Sequence, residues 1–192
     1  MKMKSVAIIV HGSYGSPDEN WFPWLKVELE KSGYEVFVPK FPTPKNQKLG
    51  AWMDIFDKYT NSLDQNSILI GHSIGCAFIL SVLEKLKIKI KAVFLVAGFL
   101  GPLGNEFYDT ISKTFTKKEF DWEKIKSNCS RFLIYQADND PHVPFSKGEE
   151  IAEKTQGTLK IIKNAGHFNE KSGYKKFGLL LEDIKKITAK HL

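Results

Sequence analysis

The sequence predicts an α/β protein, with a parallel β-sheet covered by helices on both faces. Three observations predict it. Short apolar runs alternate with longer amphipathic segments along most of the chain, the pattern of right-handed strand–helix–strand crossovers. The runs are apolar throughout rather than at every second position, as strands buried on both faces require. The 192 residues, 42% of them hydrophobic and 26% charged, suit one domain with a sizeable core and argue against disorder. That single domain is expected to span residues 1–192.

The first strand, Ser5 to Val10, is a β-branched run that stops at His11-Gly12. Trp21 to Lys31 has apolar positions at Trp21, Trp24 or Leu25, and Leu29, and reads as a helix ended by Gly33. Tyr34 to Val38 is a second strand closed by Pro39, and Gln47 to Leu63 a second helix. Ser67 to Ile70 is a short third strand, followed by a buried helix from Ile74 to Leu86. Lys91 to Ala97 and Arg131 to Gln136 are the next strands. A helix over Ser146 to Thr155, a sixth strand over Leu159 to Ile162 and an amphipathic helix over Tyr174 to Thr188 complete the chain. Gly98 to Trp122 breaks the rhythm and holds Phe99, Leu100, Phe107, Tyr108, Phe115, Phe120 and Trp122. It reads either as a helix packed on the sheet or as a cap (a pocket-shaping insertion, 98–122), and the two are compatible.

The formal charge of +6 raises the question of nucleic acid. The lysines, however, alternate with glutamates, as in Lys26-Val-Glu28-Leu-Glu30-Lys31, and the densest stretch, Ile88 to Lys91, is short. This is a solvated basic surface, and no nucleic-acid partner is expected. Cys76 and Cys129 form neither a metal spacing nor a disulfide framework. No metal and no cofactor is expected, and the free thiols point to a reducing compartment, the cytoplasm. Met1 to Lys4 is basic, but the apolar run after it is too short for a signal sequence, and no stretch reaches membrane-spanning length.

Parallel sheets of this kind place their chemistry outside the carboxyl ends of the strands. After the third strand stands Gly71-His72-Ser73-Ile74-Gly75. Chance supplies roughly 0.06 such Gly-x-Ser-x-Gly matches in a chain of this length, so the strand–turn–helix setting is what makes the match strong. It resembles the nucleophile elbow of the α/β-hydrolase fold, in which a strained serine sits between residues small enough to approach each other. A serine hydroxyl needs a base, and the expected chain order is serine, acid, histidine. Of five histidines, His167 alone comes directly after the last strand; His11 and His72 flank turns, His142 precedes Val143-Pro144, and His191 is near the C-terminus. The loop after the penultimate strand offers Asp138 and Asp140, of which Asp140, in Asp140-Pro-His-Val-Pro144, is favoured and Asp138 is expected to brace the turn. Two backbone N–H groups should face the developing oxyanion, one from Ile74 and one from Ser13 or Tyr14 in the first loop.

The chain further resembles the small serine hydrolases of the retinoblastoma-binding protein 9 type, over nearly its whole length. The resemblance rests on Trp21-Phe-Pro-Trp24, the elbow, Trp122-Glu-Lys-Ile-Lys126, Asp140-Pro-His-Val-Pro144 and Gly166-His-Phe-Asn169. It implies a compact six-stranded sheet lacking the first hairpin of larger relatives, and supports Ser73, Asp140 and His167 as a catalytic triad. The first loop, His11-Gly-Ser-Tyr-Gly15, departs from the glycine-richer loop common in esterases. The family name implies a protein partner for some members; no motif here matches such a contact. The expected activity is hydrolysis of a small carboxylic ester or amide through an acyl-enzyme on Ser73. The alternatives are an aminopeptidase-like hydrolase of short amides and a binding protein on a hydrolase scaffold. Trp21, Trp24 and Phe168 are expected near the pocket.

Overall fold

A computed structural model describes residues 5–129 and 131–189. His191 and the basic Met1–Lys4 segment lie outside the described residues. Six parallel strands form one sheet: β1 (Val6–Val10), β2 (Glu35–Phe37), β3 (Ile68–His72), β4 (Ala92–Val96), β5 (Phe132–Ala137) and β6 (Thr158–Ile162), in the order β2-β1-β3-β4-β5-β6. The order reverses at β1, so the carboxyl ends of β1 and β3 open a crevice there.

Successive side chains of a strand leave opposite faces, and each face has its own core. Val6, Ile8 and Val10 join Leu69, Phe78 and Trp52 on one side. Ala7 and Ile9 join Ile70, Phe94 and Phe22 on the other. Helix α1 (Phe22–Lys31) buries Phe22, Leu25 and Leu29 fully against the second core, worth roughly 1.5–3 kcal/mol per side chain. Helix α7 (Gly178–Thr188) covers the same face. Its buried Asp183 accepts hydrogen bonds from the Tyr135 hydroxyl at 2.8 Å and from Lys160 at 2.7 Å, which locks the helix onto β5 and β6. Helices α2 (Leu49–Thr60), α3 (Ile74–Lys85) and α6 (Phe145–Thr155) lie against the first core.

Residues 98–122 resolve into a loop and helix α4 (Glu106–Thr116), followed by a helix the sequence reading did not extend to, α5 (Trp122–Asn128). Asn105 and Asp121 cap them by accepting the N–H groups of Tyr108 and Lys124. Helix α4 meets both the core and the cavity. Its Phe115 is fully buried, 4.9 Å from the Trp52 ring, and Trp52 in turn stacks on Phe41. Its Tyr108 faces the cavity described below.

Two helices start later than their sequence pattern. Gln47 does not open α2, because its side chain is drawn away to Ser13 and to the Ile111 carbonyl. Tyr174 and Phe177 precede α7 and pack edge-on to each other, with Phe177 stacked on Phe168. Among the described residues no helix is long and apolar enough to cross a membrane.

Phe115→Ala should cost about 3–5 kcal/mol in urea denaturation, because the ring joins α4 to the aromatic core. A loss below about 1 kcal/mol would show that α4 is held by other contacts.

Candidate active site

Ser73 lies between β3 and α3 with φ 55° and ψ −125°, a conformation that costs a non-glycine residue of order 1–3 kcal/mol. The neighbouring strand β4 and helix α3 hold it there. Its N–H donates to the Val96 carbonyl at 2.9 Å, and its carbonyl accepts from the Cys76 N–H at 3.0 Å. The turn is tight enough to require glycine on either side. A Cβ on Gly75 would stand 2.7 Å from the Val10 carbonyl oxygen, and one on Gly71 would stand 3.0 Å from the Cys76 nitrogen. The first loop closes on the same point, since a Cβ on Gly12 would lie 2.9 Å from the Ser73 Cβ.

His167 lies in the loop after β6, and three consecutive side chains from the loop after β5 fix that loop. Asp138 accepts the Asn164 N–H, Asn139 accepts the Gly166 N–H, and Asp140 Oδ2 accepts from His167 Nδ1, each at 2.8 Å. Asp140 Oδ1 accepts the N–H groups of His142 and Val143 at 2.9 and 3.1 Å. Burial pushes this carboxyl's pKa up, but the hydrogen bond and charge of His167 and the two backbone donors outweigh it, and the pKa lies below the usual carboxylate value. With its proton on Nδ1 facing Asp140, the His167 ring keeps a lone pair on Nε2. From the other side Trp21 Nε1 donates to the Phe168 carbonyl at 3.0 Å, and Asn20 Oδ1 accepts the Glu170 N–H at 2.8 Å.

The other described histidines take different roles. His72 Nε2 donates to the His167 carbonyl at 2.8 Å. Burial, helped by the neighbouring His167, pushes its pKa down to about 3, so it stays neutral beside the site. His11 is also buried and lowered; Nδ1 donates to the Gly12 carbonyl and Nε2 accepts the Phe41 N–H. It ties the first loop to the segment before α2. His142 is exposed at the cavity mouth, its ring centroid 5.1 Å from that of His167.

The first loop turns through a Gly12 carbonyl to Gly15 N–H bond. Tyr14 adopts φ 58°, and its N–H donates to Thr43 Oγ1 at 2.7 Å. Ser13 Oγ accepts from Gln47 Nε2 at 2.8 Å. The N–H groups of Ser13 and Ile74 have no partner among the described residues; that of Ile74 opens a helix and has no carbonyl one turn back. Thr43 and Gln47, and Asn139 across the site, position these loops, yet nothing in the sequence singles them out, because each acts on a partner far away in the chain.

A cavity of about 630 Å³ unites Gly12, Ser13, Ser73 and His167 with Tyr108 from α4 and Glu170 from the histidine loop. Trp21 and Phe168, expected at the pocket, are instead fully buried in the second core, and Trp24 packs against it. Their aromatic surface is spent on holding the loops from behind.

A family model described as "Serine hydrolase" matches residues 7–185. The chain belongs to the serine hydrolase family. It is 31% identical to YdeN of Bacillus subtilis (strain 168) over 175 residues, 90% of each chain. It is 26% identical to the serine hydrolase RBBP9 of Rattus norvegicus over 171 residues, 88% of this chain and 89% of that one. The crystal structure of the B. subtilis ydeN gene product superposes with a TM-score of 0.90 at 29% identity, covering 97% of this chain and all of that one. Est1E of Butyrivibrio proteoclasticus shares the fold, with a TM-score of 0.72 at 16% identity over 95% of this chain and 87% of its own. The protein is a hydrolase with the α/β-hydrolase fold.

The neutral histidines make this serine hydrolase sensitive to acid. An unfolded chain protonates His72 near its ordinary value of 6.5, whereas the folded protein resists protonation down to about 3. Stability is therefore intact above pH 6.5 and lost as pH falls from there towards 3. The slope for this group should approach about 1.4 kcal/mol per pH unit. Urea denaturation from pH 7 to 4 should show it, and His72→Gln should flatten it; an unchanged slope in the variant would refute the assignment.

Proposed function

We propose that this family member cleaves a small carboxylic ester or amide through an acyl-enzyme on Ser73, with His167 as base and Asp140 as its orienting acid. One observation carries the reading. The His167 Nδ1 bond to the Asp140 carboxylate, whose side chain is fully shielded, leaves Nε2 open in the cavity that holds Ser73.

In this reading Ser73 Oγ attacks the acyl carbon as its proton passes to His167 Nε2. Asp140 stabilises the resulting imidazolium without taking the proton. The oxyanion receives the N–H groups of Ile74 and Ser13, each worth about 3–4 kcal/mol in the transition state. Tyr14 is the weaker choice for the second donor, because its N–H is already bound to Thr43. His167 then protonates the leaving oxygen or nitrogen. Water attacks the acyl-enzyme by the same route in reverse, so the cycle consumes only water and needs no metal or cofactor. Asp138 serves the loop rather than the base. Residues 98–122 form part of the pocket wall within a single domain. The two cysteines are buried and free, which supports a cytoplasmic setting.

A fluorophosphonate probe should label the protein at Ser73, and Ser73→Ala should abolish labelling. Asp140→Asn should lower kcat by about 10³–10⁴-fold with the fold intact by circular dichroism. Equal labelling of wild type and Ser73→Ala would overturn the nucleophile. Parallel assays on matched esters and aminoacyl amides read out the bond cleaved. Labelling without turnover on either would favour a binding role.

A further inference from the structure

The cavity straddles the carboxyl edge of the sheet, and its two walls hang from opposite faces. On the face of the first core, Phe99, Leu103 and the Tyr108 ring make a mainly apolar wall, in which the buried Ser112 hydroxyl is a polar atom without a partner among the described residues. The loop that carries it is pinned where Asp109 accepts the N–H groups of Leu103 and Gly104 at 2.7 and 3.1 Å. On the face of the second core, Glu19, Asn169 and Glu170 make a polar wall. Glu19 is half-buried and makes no ion pair among the described residues; its carboxylate accepts from the Asn20 amide at 3.3 Å and from the Ser16 backbone. Apolar matter laid over this wall would strip water from a carboxylate without replacing it, a costly exchange.

His167 sets the direction. It sits on the same loop as Asn169 and Glu170 and, in the mechanism proposed above, must protonate the leaving atom. The leaving group therefore lies along the polar wall, and the acyl group lies under α4. Resting on the Ser73 reading, we infer that the substrate is amphipathic in one sense only: a compact apolar acyl group joined to a polar, hydrogen-bonding leaving group, with Glu19 and Leu103 as the specificity residues of the two walls.

Four esters test this, pairing butyryl or its polar isostere methoxyacetyl with glycerol or butanol, each kcat/KM divided by the ester's hydroxide rate. Glyceryl butyrate should exceed both glyceryl methoxyacetate and butyl butyrate by about tenfold. Glu19→Leu should erase the preference for glycerol and leave that for butyryl; Leu103→Ser should do the converse. A flat panel, the opposite preference, or variants that move both preferences together would overturn the inference. Fluorophosphonate labelling of Ser73 on the same samples separates the two failures. A labelled enzyme with the wrong preference sinks only the amphipathic substrate, whereas an unlabelled one sinks the Ser73 reading itself.

Discussion

Three chain segments meet within van der Waals contact at the carboxyl end of β3, and the site depends on that approach. Gly75 touches the carbonyls that end β1, Gly71 touches the first turn of α3, and Gly12 touches Ser73 itself. A side chain at any of these would force the strands and α3 apart. The strained serine between them is held because β1, β3 and β4 are fully buried and parallel on either side. A flexible turn would relax Ser73 into an ordinary conformation. Here the sheet is stiff enough to store the strain.

Polar loops are placed against that fixed point by hydrogen bonds rather than by packing. Asp138, Asn139 and Asp140 reach from one loop to three successive points on another. Thr43 and Gln47 do the same for the first loop, and Gln47 also reaches the Ile111 carbonyl of α4. Buried His11 and His72 act as neutral connectors. Burial disfavours the cationic form of both, so neither sets a positive charge against the His167 ring.

The cavity takes its walls from the two cores. Helix α4 is anchored through Phe115 to Trp52 on one face. The histidine loop is anchored through Phe168 to Phe177 and Trp21 on the other. Aromatic residues near the site are thus mostly its foundations, while Phe99, Leu103 and Tyr108 line the cavity opposite Glu19, Asn169 and Glu170.

The sequence by itself determined the parallel sheet and the elbow, because both are local. An apolar run declares a buried strand, and a strained turn admits only small neighbours at fixed offsets. Its place directly after the last strand ranked His167 above the other histidines, the Asp140-Pro-His-Val-Pro144 pattern ranked Asp140 above Asp138, and the structure joins those two side chains at 2.8 Å. Only the tertiary structure decided what depends on distant partners. Trp21 and Phe168 read as pocket residues, yet a 147-residue loop closes to bind one to the other inside the core. Gln47 read as the start of a helix, yet its amide bridges the first loop and α4. Ser13 and Tyr14 read as equal candidates for the second oxyanion donor, and in the fold the Tyr14 N–H is bound to Thr43. A backbone donor carries no side-chain signature, so its availability is fixed only when the chain has folded and its competitors are in place.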